Sequence, residues 1–125
     1  MIHMTKKNFV LITGAAGGIG RATVNFFSEK SWSVIGVDRA DFGEGFPQNG
    51  LFIQSDISRP EDMQAIFEKT RAFTNSLDAL VNNASAIWLR GVLDTPMKRF
   101  DLMSQVNSRG TFLCAQKALP YLLKS

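Results

Sequence analysis

The stretch TGAAGGIG, residues 13–20, lies between the apolar run NFVLIT and a helical pattern that begins at its last glycines. Gly14 permits a tight turn off a strand, Gly18 leaves no side chain where a pyrophosphate would approach, and Gly20 allows close helix–strand packing. The helix then offers unpaired N–H groups and a positive dipole end to phosphates. No Gly-Lys-Ser/Thr follows, which excludes a P-loop. The stretch therefore predicts a dinucleotide-binding turn, in which Ile19 lies between the last two glycines.

An acidic residue at the end of the second apolar run completes this signature. Asp38 lies 24 residues after Gly14, where its carboxylate would accept both ribose hydroxyls of an adenosine. It would also repel a 2′-phosphate, since two unit charges about 4 Å apart interact by about 4 kcal/mol at an effective dielectric constant of about 20. Arg39 would offset part of this repulsion by pairing with a phosphate. The balance predicts NAD over NADP, and the alternative for Asp38 is an ordinary carboxylate in a strand-end turn.

Short β-rich runs alternate with helical patterns along the chain, which predicts an α/β fold with a parallel sheet. Strands are predicted at 8–13, 32–38, 51–56 and 77–85. The connection 39–50 is short and rich in glycine, so a loop is predicted there in place of a crossover helix.

Three helices are predicted from apolar spacing and capping signals. The first has the stripe Ile19, Ala22, Thr23, Phe26 and Phe27. The second has a Ser58–Glu61 capping box, Pro60 in its first turn, and the stripe Met63, Ile66, Phe67, Thr70 and Phe73. The third is capped by Thr95, opens at Pro96 and runs towards Leu122 as one helix.

Length and composition are those of one soluble domain over residues 1–125, with 45% apolar and 20% charged residues. The net charge of +3 is carried by scattered basic residues, so no nucleic-acid partner is expected. The apolar run 9–12 is too short for a signal peptide or a membrane span. Cys114 is the only cysteine, which predicts a reducing, cytoplasmic environment. Residues 1–7, with His3, are predicted to be a tail.

Four motifs in order, TGAAGGIG, SDI (55–57), NNAS (82–85) and VNSRGTF (106–112), resemble those of the short-chain dehydrogenase/reductase family. The resemblance covers essentially the whole chain. It implies a Rossmann-type parallel sheet of about four strands in the order 3-2-1-4 with flanking helices, truncated relative to the full family fold. It also implies hydride transfer between a nicotinamide and a small carbonyl or alcohol substrate.

The resemblance assigns a role to each matching residue. The cofactor loop Thr-Gly-x-x-x-Gly-x-Gly would comprise Gly14, Gly18, Ile19 and Gly20; Asp56 and Ile57 would flank the adenine; Asn83, Ala84 and Ser85 would line the cofactor channel. Asn107 would match the catalytic asparagine, which interrupts its helix and holds a water linked to the active-site lysine.

Two features depart from the family pattern or divide between its branches. Ser85 stands where the family usually has glycine, and its hydroxyl would lie near the nicotinamide ribose. The short connection 39–50 is similar to that of dihydrodiol-type dehydrogenases and dihydropteridine reductases, whereas residues 82–111 are more similar to the hydroxysteroid dehydrogenase-like branch. The substrate therefore remains open.

Tyr121 and Lys124 are the one pair in the chain that resembles a proton-donor arrangement. The family places a Tyr-x-x-x-Lys helix and a serine well beyond its catalytic asparagine, with a spacing of four. Tyr121 lies 14 residues after Asn107 along one predicted helix, a distance of about 21 Å. Tyr121 is therefore predicted to be a packing residue, and the family's catalytic serine, tyrosine and lysine are absent.

Three functions stay open at this point. The chain is an NAD(H)-binding part of a dehydrogenase, catalytically incomplete alone; a non-catalytic nucleotide-binding or assembly module; or one portion of an enzyme completed by another chain. The fourth strand would have a free edge, and the last helix is apolar on more than one face, so a homo-oligomer is predicted.

Overall fold

Four parallel strands form one sheet in the order β3-β2-β1-β4 in the computed structural model, which describes residues 6–125. The strands are β1 Phe9–Thr13, β2 Ser33–Asp38, β3 Leu51–Gln54 and β4 Ala79–Val81. In the central strand, Leu11 lies opposite Ile35 of β2 on one side and Leu80 of β4 on the other. The α/β class and the strand order are confirmed. The fourth strand is shorter than predicted, because residues 82–85 leave the sheet, where Ala84 and Ser85 line a cleft described below.

The helices are α1 Gly18–Glu29, α2 Pro60–Phe73, α3 Met97–Met103 and α4 Thr111–Leu122. A 3₁₀ turn at Val92–Asp94 precedes α3, and a π-helical segment at Ser104–Gly110 joins α3 to α4. The backbone stays right-handed helical at both ends of that segment. The predicted long helix is therefore continuous in direction, but its middle has π-helical hydrogen bonding, as the family resemblance implied for the region of Asn107.

Alternate residues of the central strands point into two cores on opposite faces of the sheet. Leu11 and Ile35 pack with residues of α2 and α4, such as Met63 and Cys114. The core on the other face of the sheet lies beneath α1 and includes Val24 of that helix. The apolar stripe predicted for α2 is confirmed, because its first four members are buried and Phe73 packs against the core.

The stripe predicted for α1 is wrong. The buried residues of this helix are Gly20 and Val24, and Phe27 is partly buried, whereas Ile19 and Phe26 are exposed. The helix meets the glycine turn at Gly20, where a Cβ would overlap the carbonyl oxygen of Gly14. That contact fixes the helix rotation and turns Ile19 to solvent.

Two predicted helix caps are also wrong. Arg59 occupies the N-cap position of α2 and makes no side-chain cap, so no capping box between Ser58 and Glu61 forms; the Ser58 hydroxyl donates to Asp56 Oδ1 at 2.7 Å. The Thr95 hydroxyl donates to the carbonyl of Gly91 at 2.8 Å within the preceding turn. Ser58 and Thr95 each lie one position before the residue that occupies the N-cap, which is Arg59 in α2 and Pro96 in α3.

The connection 39–50 contains no helix, as predicted. Phe42 and Phe46 of the connection instead pack against Phe52 of β3: the ring centres of Phe42 and Phe46 are 4.9 Å apart, and that of Phe52 lies 5.6 Å from each. Gly36 in β2 makes room for this cluster, since a Cβ there would lie 2.7 Å from the Phe46 ring. The Arg21 guanidinium stacks 3.8 Å from the centre of the Phe42 ring and so ties the connection to α1.

The first described residues are partly ordered by contacts with the fold. Lys6 Nζ lies 3.1 Å from Asp78 Oδ1 at the surface, and the tail over residues 1–7 stays a prediction. His3 and the rest of residues 1–5 lie outside the described residues. Within residues 6–125, no helix is long and apolar enough to cross a membrane.

Candidate functional site

A cleft of about 290 Å³ opens at the carboxyl ends of the parallel strands. Crevices in this position are where open α/β sheets bind ligands, and the volume is at the lower end of ligand pockets, about 300–1,000 Å³. The lining residues come from the glycine turn, the ends of β2 and β3, the segment after β4, and the helical path from α3 into the π-helical segment. They are Gly14, Val37, Asp38, Arg39, Ser55, Asp56, Ile57, Ala84, Ser85, Ala86, Ile87, Arg99, Leu102 and Val106.

The glycine turn has the geometry that its sequence predicts. Gly14 has φ of +66°, a left-handed conformation that favours glycine, and a Cβ there would lie 2.8 Å from Asn83 Nδ2. At Gly18 a Cβ would meet no atom within 4 Å outside its immediate surroundings. The turn is therefore tightly packed at its first glycine and open at its second, which leaves the N-terminus of α1 accessible.

A hydrogen-bonded clasp joins the ends of β1 and β4 beneath this turn. Thr13 Oγ1 accepts from the backbone N–H groups of Asn83 at 3.1 Å and Ala84 at 3.0 Å. Asn83 Nδ2 in turn donates to the Gly14 carbonyl at 3.1 Å. Thr13 is buried, so these bonds satisfy a hydroxyl that water does not reach. Sequence reasoning missed this residue, although a threonine between an apolar run and a glycine is a buried polar position.

Asp38 is held at the cleft by two backbone donors. Its Oδ2 accepts from Ala16 N–H at 2.9 Å, and its Oδ1 accepts from Ala40 N–H at 2.9 Å. The half-buried carboxylate therefore links the end of β2 to the glycine turn and has lone pairs left for a ligand. Arg39 is exposed beside it and also lines the cleft.

Asp56 and Ile57 form the wall after β3. Asp56 Oδ1 accepts from both the backbone N–H and the hydroxyl of Ser58, and its own N–H donates to Asp62 Oδ2 at 2.8 Å. Ile57 is buried, and its side chain lies against Gly110, where an added Cβ would be 3.0 Å from Ile57 Cδ1. The close approach of the π-helical segment thus fixes the apolar side of the cleft.

Asn107 does not line the cleft but holds one of its walls. Its Oδ1 accepts from Ala86 N–H at 2.8 Å, and its Nδ2 donates to the Ala86 carbonyl at 2.9 Å. The side-chain amide therefore pairs with the backbone as a neighbouring strand would. It ties the π-helical segment to the segment after β4, and π-helical turns inside α-helices are frequent at functional sites.

The structure brings together seven of the residues predicted from the sequence: Gly14, Asp38, Arg39, Asp56, Ile57, Ala84 and Ser85 all line the cleft. Gly18, Gly20, Asn83 and Asn107 lie in the turn, the clasp or the supporting helix and not on the cleft lining. The Ile19 side chain is 76% exposed and is not part of the lining either.

Sequence reasoning missed the contribution of α3. Arg99, Leu102 and Val106 line the cleft, and their spacing of three and four places them on one helical face. This spacing was visible in the sequence, but nothing in it indicated which face of the last helix would meet the strand ends.

Trp88 and two arginines form a stack at the rim of the cleft. The guanidinium of Arg99 lies 4.8 Å from the centre of the Trp88 ring, and that of Arg90 lies 5.7 Å from it. Trp88 Nε1 donates to the Asp94 carbonyl at 3.1 Å, which holds the ring against the 3₁₀ turn.

Tyr121 is occupied by packing contacts away from the cleft. Its hydroxyl lies 3.3 Å from the Phe67 carbonyl, to which it donates, and its own carbonyl accepts from Leu77 N–H at 3.1 Å. Cys114 lies on the buried face of the same helix, and burial raises the pKa of its thiol from 9.0 to about 12. A thiol protonated at neutral pH is a poor nucleophile.

Comparisons with known proteins agree with this geometry. A family model described as short chain dehydrogenase matches residues 8–125. Human hydroxysteroid dehydrogenase-like protein 2 is 35% identical over an alignment 131 positions long that covers 93% of this chain and 31% of the relative. The match supports the similarity noted for residues 82–111.

Solved structures give the same result. A short chain dehydrogenase from Leptospira borgpetersenii with bound NAD⁺ aligns with a TM-score of 0.83 and 27% identity over 94% of this chain and 49% of that one. A 3-ketoacyl-(acyl-carrier-protein) reductase from Brucella melitensis complexed with NADH has a TM-score of 0.83 and 28% identity over 91% of this chain and 50% of that one. The chain thus spans about half the length of these two structures and about a third of the human relative.

Proposed function

We propose, since the chain belongs to the short-chain dehydrogenase family, that it is the NAD(H)-binding part of an oxidoreductase that acts on a carbonyl or alcohol. One observation carries the proposal: a single cleft at the strand ends brings together the glycine turn, Asp38 and the segment after β4. Within the family such a cleft would receive the dinucleotide, and two of the aligned structures contain NAD⁺ or NADH.

The residues present fit this cofactor. The open space at Gly18 and the N-terminus of α1 would receive the pyrophosphate, and Asp38 would accept the adenosine ribose hydroxyls. Asp56 and Ile57 would border the adenine, and Ala84 and Ser85 would lie towards the nicotinamide. When bound, the cofactor supplies the hydride chemistry, and the chain binds and orients it.

We propose that Asp38 selects NAD over NADP. Two backbone N–H groups hold its carboxylate in place, so it would not turn away from a 2′-phosphate at low cost. A preference of tenfold needs only about 1.4 kcal/mol, which is less than the repulsion expected at close range even after screening. Arg39 opposes this effect, because its exposed guanidinium would attract the phosphate.

Calorimetric titration of NAD⁺ and NADP⁺ tests this selectivity. We expect NAD⁺ to bind at least about tenfold more tightly, and Asp38→Ala and Asp38→Asn to reduce that ratio. Asp38→Asn removes the charge but keeps an oxygen acceptor, so it separates repulsion from disorder of the turn. Arg39→Gln should widen the ratio. Equal affinities of the wild-type chain for the two cofactors would refute the proposed selectivity.

We propose that the chain does not catalyse turnover by itself. Tyr121 donates to the Phe67 carbonyl, and its position along α4 places it far from Asn107, so neither Tyr121 nor Lys124 would serve as the proton donor. A missing general acid commonly costs about 10²–10⁴-fold in rate. Asn107, which the family resemblance makes catalytic, would act here by holding the wall at Ala86.

An assay of NADH oxidation over a panel of ketones and aldehydes tests this incompleteness. Both the wild-type chain and Tyr121→Phe should show only background rates. Robust turnover that Tyr121→Phe abolishes would contradict the proposal and make Tyr121 the acid.

We also propose that the chain self-associates. In the described residues β4 pairs with β1 on one side only, and Phe112, Leu119 and Leu123 of the last helical region are each more than half exposed. A free strand edge beside exposed apolar side chains favours pairing with a second copy. Light scattering at tens of micromolar should give a mass above that of one chain, and Leu119→Gln with Leu123→Gln should lower it. A monomeric wild-type mass would refute the proposal.

A further inference from the structure

We propose that Arg99 recognises the adenine base at the outer end of the cleft and that Trp88 positions it for this role. The inference rests on the proposed cofactor binding and adds a residue to it. It is carried by the juxtaposition of a stacked, unpaired guanidinium with the apolar walls of the cleft.

Arg99 shares one face of the helical path with the apolar part of the cleft lining. Leu102 follows it after three residues and Val106 after four more, and all three line the cleft, as does Ile57 after β3. These aliphatic side chains offer flat apolar contact, which suits a base and not a phosphate. The anion-binding features of the cleft, Gly18 and the N-terminus of α1, belong to the glycine turn instead.

The guanidinium of Arg99 is free to bind a ligand. Among residues 6–125 it forms no ion pair and no side-chain hydrogen bond, although Asp38 and Asp56 line the same cleft. Arginine offers five N–H donors in one plane and a face that stacks on aromatic rings. An adenine presents the complementary groups, namely ring-nitrogen acceptors and a π face.

Trp88 restricts where this guanidinium lies. Its ring is fixed by the hydrogen bond from Nε1 to Asp94, and Arg99 stacks on the ring at 4.8 Å. Stacking lowers the conformational freedom that Arg99 loses when a ligand binds, so the base would meet a group already in place. Arg90 stacks on the same ring at 5.7 Å but does not line the cleft, so an Arg90 variant is a matched control for the loss of a stacked guanidinium outside the cleft.

Titration calorimetry of the full chain with NAD⁺ and with ADP-ribose tests the proposal. Arg99→Met keeps much of the side-chain volume and removes the guanidinium, and we expect it to weaken both ligands roughly fivefold. Arg99→Lys keeps the charge but not the planar group, and it should weaken both ligands to a similar extent. Lys98→Met and Arg90→Met each remove a neighbouring cation outside the cleft lining, and they should change either affinity by less than about twofold.

Each outcome decides between interpretations. Arg99→Lys with wild-type affinity would mean that Arg99 attracts a phosphate by its charge alone, which overturns base recognition. Arg99→Met with wild-type affinity would overturn any role in binding. Failure of the wild-type chain to bind NAD⁺ at all would refute the proposed function as well, whereas wild-type binding with unaffected Arg99 variants refutes only this inference.

Discussion

The sheet with its glycine turn, residues 9–81, and the helical region after the cleft wall, residues 87–125, hold their side chains in different ways. Leu11 in the central strand is 0% exposed, whereas Leu93 in the 3₁₀ turn is 98% exposed. The helical region also exposes several other large apolar side chains: Ile87, Leu89, Val92, Met97, Phe100, Phe112, Leu119 and Leu123.

The difference shows that the apolar side chains of the sheet are covered by the rest of the chain, whereas many of those in the helical region are not. The sheet is stabilised by contacts within the chain, since both of its faces are covered by helices or by the phenylalanine cluster. The helical region buries one face, through Val106, Cys114 and Ala118, and leaves the rest of its apolar surface to solvent. Exposed apolar side chains of this size are consistent with the self-association proposed above.

The same substitution in the two regions should show the largest contrast. Leu11→Ala removes a fully buried side chain and should lower the free energy of unfolding by about 3–4 kcal/mol. Leu93→Ala removes an exposed side chain and should change it by less than about 0.5 kcal/mol. Urea unfolding followed by circular dichroism measures both, and similar losses would contradict the contrast.

Alanine substitutions at two glycines of the turn should separate an effect on stability from an effect on ligand binding. Gly20→Ala would push a methyl group into the Gly14 carbonyl, and we expect a loss of about 2–3 kcal/mol in the free energy of unfolding. Gly18→Ala meets no atom within 4 Å, so stability should be nearly unchanged while NAD⁺ affinity falls. Thermal melts paired with NAD⁺ titration measure the two effects. A stable Gly20→Ala chain would show that the turn adapts.

The buried thiol of Cys114 on α4 should make the free energy of unfolding decrease at alkaline pH. Burial raises the pKa of the Cys114 thiol to about 12 from 9.0, so between these values the unfolded chain loses a proton that the folded chain keeps. The stability contributed by this group is therefore complete only well below pH 9 and falls as the pH rises towards 12, by about 1 kcal/mol between about pH 8 and 10. Urea unfolding of wild type and Cys114→Ala across this range isolates the thiol, because other groups titrate in both proteins. Parallel pH profiles would argue against a buried thiol.

Loss of the hydrogen bonds between Asn107 and Ala86, which link the two regions, should have the smallest effect on the free energy of unfolding. Asn107→Ala removes two exposed hydrogen bonds to Ala86 and should lower the free energy of unfolding by about 0.5–1 kcal/mol. Hydrogen exchange of the Ala86 amide should become faster. Asn82→Ala is the matched control, since the Asn82 side chain makes no hydrogen bond with the described residues; an equal effect would deny the link.

Most of the sheet could be predicted because each strand is a short apolar run whose neighbours are fixed by parallel crossovers. The glycine turn and Asp38 were predictable for a similar reason, since local conformation and chain order alone bring them to the same sheet edge. The positions of these residues depend on the sequence around them, so they can be predicted from one sequence alone.

The rest depended on contacts between distant residues. The rotation of α1 is fixed by Gly20 against Gly14, which apolar periodicity does not encode, so the stripe through Ile19 was wrong. The clasp from Thr13 joins residues 70 apart in sequence, and the entry of Arg99 into the cleft brings it to residues such as Ile57, 42 positions earlier. Ser58 failed as a cap because α2 begins one residue later than the capping box requires, with Arg59 in the N-cap position.

The strand order also has a kinetic consequence. The strands that pair with β1 lie at different distances along the chain. The pairing with β2 closes the loop between Phe9 and Ser33, whereas the pairing with β4 closes the much longer loop between Val10 and Ala79. Closing the longer loop costs about 1 kcal/mol more in chain entropy, so we expect β4 to dock after the first three strands have assembled. The cleft has walls from both parts and would be completed only by that last event. In stopped-flow refolding, the capacity to bind NAD⁺ should therefore appear with the slowest phase, later than most of the secondary structure.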